Sequence, residues 1–310
     1  MNKIPCRKSF TETILELAKK DKRIITLASD SRGSVTLGEF ADTLPDQFVE
    51  CGIAEQDAVG IAAGLATFGF LPFVCAPACF LSARSLEQVK IDVAYSQTNV
   101  KIIGISGGVS YGALGMSHHS LQDIAVMRAV PGIEIMLPAD EYQARAMTKA
   151  LVNHRGAVYV RMGRGAVESV YSEEYCPFEI GKANILTEGN DAVIFATGET
   201  VVQSFKAAME LKSAGVNVRV IDMHTIKPLD TETVVNAVKE CNAVVTVEEH
   251  SLYGGLGEAI AHTMIENNLS KPMRIIGLPD EPLVSGDSKE LFRYYGLDCE
   301  GIGKTVLSLV

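Results

Sequence analysis

Short apolar runs, rich in β-branched residues, alternate along this chain with segments of helical periodicity. In the first half of the chain, five runs predict strands, at residues 23–28, 73–76, 100–106, 133–137 and 157–162. Amphipathic segments lie before or between them, at residues 8–20, 81–96 and 141–153. Nearly continuous apolar strands separated by helices are typical of a parallel sheet that is covered on both faces. The alternation therefore predicts an α/β fold.

The pattern is interrupted after residue 165 and then resumes. Residues 166–187 are largely polar and aperiodic, which predicts a connection between domains. In the second series, strands are expected at 191–196, 216–223, 243–247 and 274–278, and helices at 201–213, 231–239 and 257–267. Because a chain of 310 residues can form two hydrophobic cores, we expect two doubly wound domains, 1–165 and 188–310.

Composition and charge exclude several classes of function. The formal net charge is -10 and the basic residues are not clustered, which argues against nucleic-acid binding. The seven cysteines form no Cys-x-x-Cys pair, so we expect no metal site and buried thiols in a reducing cytosol. The first residues contain no apolar segment of signal-peptide length, and a cytoplasmic location is expected.

One uncharged stretch, residues 58–81, is long enough to span a membrane. Gly69, Pro72 and Pro77 interrupt this stretch and predict a short helix, a turn and a buried strand. We therefore expect no membrane contact.

Glu55 stands at the start of the helix expected in this region, within the run GIAEQ at residues 52–56. Burying an ionised carboxylate is costly unless the charge is neutralised or hydrogen-bonded. The N-terminus of a helix stabilises an acid by about 0.3–1 kcal/mol, and a bound ligand is the alternative. The residue pattern by itself leaves both interpretations open.

Several segments resemble the C-terminal half of transketolase, in the same order and over nearly the whole chain. They are GIAEQ at 52–56, SHHS at 117–120, DIA at 123–125, PAD at 138–140, RMGR at 161–164, DMHTIKPLD at 222–230 and EEH at 248–250. The resemblance implies a thiamine-pyrimidine-binding domain followed by a transketolase C-terminal α/β domain. It also implies a subunit of a thiamine diphosphate-dependent enzyme that transfers a two-carbon ketol unit between sugar phosphates.

The resemblance implies a cofactor site. In this family the acid that matches Glu55 hydrogen-bonds N1′ of the aminopyrimidine and shares a proton with it, so Glu55 is expected to be catalytic. Phe80 matches an aromatic residue that stacks on this ring, and Ile53 and Gln56, which flank the acid, are also expected to bind the cofactor. The plainer interpretation of Phe80 is core packing. Pro77 replaces a second aromatic residue, which leaves a smaller stacking platform.

Other positions match residues that bind the sugar phosphate. Arg7, Arg164 and Ser34 match the two arginines and the serine that hold the phosphate, and arginine suits this task because its fork binds oxygens bidentately. His118 matches a histidine that contacts substrate oxygens, so it is expected to be catalytic and to bind substrate, and His119 beside it is also expected to bind substrate. Surface salt bridges of the arginines and a solvent-facing histidine pair are the plainer alternatives.

Two departures from the family pattern concern substrate recognition. Ser106 stands where the family has a histidine that assists phosphate or hydroxyl binding. Leu114 stands where an aspartate reads the configuration of a hydroxyl. Because such discrimination depends on buried polar pairing, we expect relaxed or redirected sugar selection. The ketose donor and the acceptor do not follow from the sequence.

The chain lacks the Gly-Asp-Gly and the downstream Asn with which the family binds Mg²⁺ and the diphosphate. The resemblance therefore implies the smaller subunit of a split transketolase, whose partner subunit supplies the diphosphate and Mg²⁺ ligands. We expect this chain to form a homodimer within an α2β2 assembly, and to be inactive alone. Alternatives are the β subunit of a 2-oxo-acid dehydrogenase, the C-terminal half of deoxyxylulose-phosphate synthase, and a non-catalytic binding subunit.

Overall fold

The structure, a computed structural model, describes residues 4–310 and contains two β-sheets with their covering helices. The strands within this range are β1 Ile24–Ala28, β2 Phe48–Glu50, β3 Leu71–Pro77, β4 Lys101–Ile105, β5 Ile133–Met136, β6 Ala157–Met162, β7 Asn184–Thr187, β8 Ala192–Ala196, β9 Val218–Asp222, β10 Thr225–Lys227, β11 Ala243–Ser251 and β12 Met273–Leu278. The α-helices are α1 Cys6–Ala18, α2 Gly38–Thr43, α3 Glu55–Thr67, α4 Ala78–Arg84, α5 Leu86–Gln88, α6 Asp123–Ala129, α7 Glu141–Asn153, α8 Thr200–Ser213, α9 Thr231–Glu240, α10 Leu256–Glu266, α11 Ser288–Tyr294 and α12 Cys299–Leu307. Two 3-10 helices, Pro45–Gln47 and Gly112–Ser117, and a π-helix, Val89–Tyr95, complete the helical segments.

The first sheet has seven strands in the order β10-β5-β6-β4-β3-β1-β2. Six of them come from the N-terminal half and pair in parallel. Five of these were predicted from their continuous apolar runs, whereas β2, with only three residues, was not. The seventh, β10, belongs to the C-terminal half and pairs antiparallel with β5. The sequence pattern does not predict this strand, because it has only three residues. A strand of the second half therefore completes the sheet of the first.

The second sheet has five strands in the order β12-β11-β8-β9-β7, all parallel except β7. The second sheet begins with β7, a short antiparallel strand. This strand lies within residues 166–187, which were expected to connect the domains. The domain limits 1–165 and 188–310 stay a prediction. Two mainly parallel sheets with helices agree with the predicted α/β class.

The uncharged stretch 58–81 forms the helix, turn and strand that its composition predicts, in α3 and β3. Pro72 and Pro77 lie within β3, near its two ends, rather than in the turn. No helix in residues 4–310 is long and apolar enough to cross a membrane.

The helix expected over residues 81–96 is divided into α4, α5 and the π-helix. The break falls at Ser85, whose φ of -103° and ψ of 17° are not helical. Its hydroxyl donates to the carbonyl oxygen of Leu81, a local contact that competes with the helical backbone pattern. The division makes α4 a short helix that ends at Arg84.

Both faces of the first sheet are packed. On one face Phe10 of α1 contacts Phe73 of β3, with ring centroids 6.1 Å apart. On the other face α3 packs through Ala58, Val59 and Ala62, which are all completely buried. Full burial of a large apolar side chain contributes about 1.5–3 kcal/mol to folding. Packing on both faces therefore holds the strands of the first sheet in place, and with them the loops at their carboxyl ends.

Candidate active site

The predicted site residues gather at the carboxyl ends of neighbouring parallel strands. Across the sheet, β6 leads to Arg164, β4 to Ser106 and His118, β3 to Phe80, β1 to Ser34 and β2 to Glu55. Arg7 joins them from the first turn of α1. In open parallel sheets this edge is where ligands bind, since its loops can present side chains without disturbing the core.

Glu55 is buried and paired with a cation. Its side chain is 4% exposed, and both carboxylate oxygens accept hydrogen bonds from Nη1 of Arg84, at 2.9 and 3.0 Å. The guanidinium of Arg84 also lies over the ring of Phe80, with Cζ 4.1 Å from the ring centroid. Phe80 and Arg84 share one face of α4 because they are four residues apart. An ion pair therefore supplements the helix N-terminus in compensating the burial of Glu55.

His118 lies between two aromatic rings. Its ring contacts Phe80 edge to face, with centroids 5.2 Å apart, and Tyr111 in the same way at 5.4 Å. Its Nδ1 lies 2.9 Å from the hydroxyl oxygen of Ser117. These contacts fix the ring plane of a half-buried histidine beside the Glu55 cluster.

His119 has a different environment from its neighbour. Its side chain is 3% exposed, and Nε2 lies 3.3 Å from the carbonyl oxygen of Gly112. Burial lowers the pKa of His119 below its ordinary value. The two histidines are therefore not a solvent-facing pair, and the observed contacts of His119 hold the loop that carries His118.

Tyr111 links the histidine to the two predicted phosphate-binding arginines. The Cζ atom of Arg164 lies 4.8 Å from the centroid of the Tyr111 ring. Nη1 of Arg7 donates to the carbonyl oxygen of Ser34 at 2.5 Å, so Ser34 is engaged through its backbone. Burial, and next the charge of Arg164, lower the pKa of Arg7. The two guanidinium groups therefore lie close enough to repel each other.

Both arginines have unused donors. Among residues 4–310, the buried atoms Arg7 Nε and Arg164 Nη1 have no hydrogen-bond partner. Both residues also line a cavity of about 650 Å³. Its opposite wall comes from the second half of the chain and includes Glu199, Lys206 and Lys289. Two cations with free donors beside a cavity of this size form a suitable site for an anionic group of a small molecule.

Ser106 occupies a tight turn at the end of β4. Its φ is 62°, in the left-handed region that non-glycine residues rarely adopt. It is completely buried, and its hydroxyl has no partner among the described residues. A Cβ on the following Gly107 would lie 2.0 Å from Nε of Arg161, so only glycine fits there. The turn thus brings the loop that leads to His118 directly against Arg161.

A buried charged cluster joins the two halves of the chain behind this loop. Nη2 of Arg161 donates to the carbonyl oxygen of Glu249 at 2.7 Å, and its Nε lies 3.4 Å from Oδ2 of Asp123. The backbone N–H of Val109 donates to Oε1 of Glu249 at 2.7 Å. Burial, with repulsion from Glu249, raises the pKa of Glu199 to about 8. Burial also raises the pKa of Glu249 to about 7.

Contacts in the structure thus join most of the predicted site residues into one cluster. Two further residues, Arg84 and Tyr111, belong to this cluster. Ile53, 76% exposed, and Gln56 lie on the surface beside Glu55 rather than against Phe80. Arg84 and Tyr111 were not predicted. In the sequence, the spacing of four residues from Phe80 could have identified Arg84. Tyr111 could have been identified as a single aromatic residue among glycines.

Two protein-family models match the chain. The model for the pyrimidine binding domain of transketolase matches residues 2–169, and that for the C-terminal domain of transketolase matches residues 181–302. The chain belongs to the transketolase family. This result confirms the predicted family, the two-domain α/β fold class and the predicted enzyme class, a transketolase-type transferase. Membership in the family implies thiamine diphosphate as the cofactor.

The chain is similar over nearly its full length to subunits of split transketolases. It is 57% identical, over 100% of its own length and 98% of the relative's, to an apulose-4-phosphate transketolase subunit of Phocaeicola vulgatus. It is 37% identical to a 6-deoxy-6-sulfo-D-fructose transketolase subunit of a Clostridium species, over 88% of this chain and 84% of that one. A 1-deoxy-D-xylulose-5-phosphate synthase of Caldanaerobacter subterraneus is 35% identical, but the chain covers only 48% of it.

Among solved structures, a protein described as a split gene transketolase, inactive beta4 tetramer, is 34% identical to the chain with a TM-score of 0.88. The two chains cover each other over 99% and 98% of their lengths. Transketolase from Campylobacter jejuni has the same fold, with a TM-score of 0.81 at 19% identity, and the chain covers 47% of it. The predicted correspondence to the C-terminal subunit of a split transketolase is confirmed.

Proposed function

We propose that this chain is the subunit of a thiamine diphosphate-dependent transketolase that activates the cofactor's aminopyrimidine through Glu55. The observation that carries the proposal is the position of Glu55, buried beside Phe80 at the sheet edge that also carries Arg7 and Arg164. We call Glu55, Phe80 and Arg84 the cofactor half of the site, and Arg7 and Arg164 the phosphate half.

The residues of this chain fit one end of the cofactor. A buried carboxylate next to an aromatic face suits a flat heterocycle with a ring nitrogen that accepts a proton. The other end requires oxygen ligands for Mg²⁺. Among residues 4–310 there is no group of three His, Cys, Asp or Glu residues that could hold a metal ion. We propose that a partner subunit supplies the Mg²⁺ and diphosphate ligands, because this sequence lacks the Gly-Asp-Gly and the downstream Asn with which the family binds them.

Each residue then has a distinct task. When bound, thiamine diphosphate would supply the carbon nucleophile that ketol transfer needs. Glu55 holds a proton at the ring nitrogen, and Phe80 supports the ring. His118, fixed between Phe80 and Tyr111, is placed to exchange a proton with a substrate oxygen. Arg7 and Arg164 bind the phosphate of the sugar through their unused donors.

Exposed apolar residues support the partner subunit and the α2β2 assembly. Ile53 and Phe68, 76% and 84% exposed, lie at the two ends of α3, and Tyr95, 81% exposed, ends the π-helix. We propose that Ile53, which precedes Glu55 by two residues, is covered by the partner subunit. The split transketolase of similar structure is described as an inactive beta4 tetramer. By analogy, we propose that this chain is inactive without its partner.

We propose a phosphorylated ketose as the substrate, with apulose 4-phosphate the first to test, because the relative from Phocaeicola vulgatus is named for it. The phosphate half supports a phosphorylated substrate. Leu114, 53% exposed, and the buried Ser106 support a selectivity that differs from that of the wider family.

The test is to mix the chain with the proposed partner subunit, the one that carries the Gly-Asp-Gly motif, and to assay ketol transfer from several phosphorylated ketoses. We expect turnover only when both subunits, Mg²⁺ and thiamine diphosphate are present. Acylation of a lipoyl domain from a 2-oxo acid would indicate a dehydrogenase subunit instead. A complex that binds thiamine diphosphate but performs neither reaction would support a binding subunit without chemistry.

A further inference from the structure

Arg84 occupies the place that the proposed function assigns to the aminopyrimidine. A ring bound there must lie against Phe80 and must hydrogen-bond to the carboxylate of Glu55. The Arg84 guanidinium meets both conditions, with Nη1 2.9 and 3.0 Å from the carboxylate oxygens and Cζ 4.1 Å from the Phe80 centroid. Stacked planar groups approach to similar distances. A cofactor ring and this guanidinium therefore cannot occupy the same face of Phe80.

The two partners of the ion pair differ in their freedom to move. The side chain of Glu55 is 4% exposed at the start of a packed helix, whereas that of Arg84 is 46% exposed at the end of a short one. Arg84 can turn toward solvent without disturbing the core. Its charge stays favourably placed after this movement, because the C-terminal end of a helix attracts cations.

We propose that Arg84 is a place-holder for the cofactor, a conclusion that rests on the proposed function of Glu55. In the isolated chain its guanidinium neutralises Glu55 and covers Phe80, which protects a buried acid that has no ligand. When thiamine diphosphate binds between the subunits, the guanidinium leaves and the aminopyrimidine takes over both contacts. The apparent affinity for the cofactor is then reduced by the fraction of molecules in which Arg84 is in place.

The first experiment measures thiamine diphosphate binding to the complete complex, with Mg²⁺ present, by isothermal titration calorimetry. Arg84→Met keeps an unbranched stem and removes the donors. We expect its complex to bind thiamine diphosphate about three to ten times more tightly than wild type, since the cofactor no longer displaces an ion pair. The kcat at saturating cofactor is measured in parallel, because it distinguishes a place-holder from a residue that positions Glu55. The matched control is Arg274→Met, an exposed arginine on β12 of the second sheet, for which no change is expected.

A second experiment measures thermal unfolding of the isolated chain. Arg84→Met should lower Tm by about 2–4 °C because it leaves Glu55 buried without its cation. Arg274→Met should leave Tm unchanged. If Arg84→Met does not assemble with the partner, Arg84→Lys replaces it in the titration. Lysine keeps the charge but loses the planar stack, so a smaller gain in affinity is expected.

Each outcome decides a specific point. Unchanged or weaker thiamine diphosphate binding by the Arg84 variants, with a wild-type complex that binds normally, overturns the place-holder alone. Weaker binding together with a lower kcat would make Arg84 a residue that positions Glu55 in the loaded enzyme. A wild-type complex that binds no thiamine diphosphate would overturn the proposed function itself.

Discussion

The cofactor half and the phosphate half of the site are enclosed in different ways. The cofactor half lies on an open flank, where Arg84 is 46% exposed and Ile53 is 76% exposed. The phosphate half faces a cavity of about 650 Å³ whose opposite wall belongs to the same chain. The cofactor half is therefore open to solvent in this chain, and in the proposed function a partner subunit covers it. The phosphate half borders a cavity that the chain's own C-terminal domain helps to form.

This difference gives the C-terminal domain a physical role. It contributes β10 to the first sheet, and Glu249 accepts a hydrogen bond from the loop that leads to His118. The domain thus holds the loop that leads to His118 and supplies one wall of the cavity beside Arg7 and Arg164. Changes in the cofactor half should act on turnover and assembly, and changes in the phosphate half should act on substrate affinity.

The largest effect is expected for Glu55→Gln. Loss of a positioned proton donor costs about 10²- to 10⁴-fold in rate, so kcat of the complete complex should fall by this amount with fold and assembly retained. The exposed Glu16→Gln is the matched control. Near-normal turnover of the Glu55→Gln complex, measured by ketol transfer at saturating cofactor, would refute the role of Glu55.

The next largest effect is expected for Arg164→Met. A hydrogen bond to a charged group contributes about 1.5–3 kcal/mol, so KM for a phosphorylated ketose should rise about 10- to 150-fold. Thiamine diphosphate affinity should not change, because the cofactor half is intact. The assay compares each ketose with its unphosphorylated form. An equal loss for both forms would mean that Arg164 does not bind phosphate.

The sequence predicted the strands and helices that surround the site better than it predicted the contacts within it. Long apolar runs identify β1, β3, β4 and β6, because burial on both faces demands continuous apolar residues. β10 was not predicted, because a strand of three residues shows too little periodicity. Its pairing with β5 depends on how the two halves of the chain pack together. The predicted helix over 81–96 is divided at Ser85, whose backbone angles are not helical.

Within the site, matching motifs located Glu55, Phe80 and His118 but not the partners that hold them. The contact between Glu55 and Arg84 joins two helices that follow different strands, so no local spacing reveals it. The buried state of His119 likewise depends on a loop conformation. Tyr111 bridges His118 and Arg164 only because the glycine-rich turn after β4 folds back on itself.

A smaller effect is expected for Leu114→Asp. This variant tests whether the residue at position 114 determines which sugar the enzyme accepts. Leu114 lies in the 3-10 helix before His118 and is 53% exposed. An introduced carboxylate can accept a hydrogen bond from a substrate hydroxyl, so the ratio of kcat/KM between two ketoses that differ at one hydroxyl should change about tenfold. Asp at this position should leave cofactor affinity unchanged. A ratio equal to that of wild type would place Leu114 outside the substrate path.

The smallest effect concerns Glu199, which lines the phosphate half and faces Glu249, Arg161 and Arg7. Burial raises the pKa of Glu199 to about 8, whereas an unfolded glutamate titrates near about 4.3. As pH rises, Glu199 therefore loses its proton in the unfolded state first. Its contribution to the free energy of unfolding decreases between the unfolded pKa and the folded pKa. Glu199→Gln cannot ionise, so its Tm relative to wild type should increase between about pH 5 and pH 8.

At the alkaline end of this range the expected gain in Tm is about 2–4 °C, the shift that about 1 kcal/mol produces in a domain of this size. Thermal unfolding of the isolated chain at several pH values measures it, with the exposed Glu266→Gln as the control. If the difference in Tm between Glu199→Gln and wild type does not change with pH, Glu199 keeps its charge in the folded chain. The enclosure of the phosphate half would then include a buried carboxylate facing the proposed phosphate, and its repulsion would oppose the binding that Arg7 and Arg164 provide.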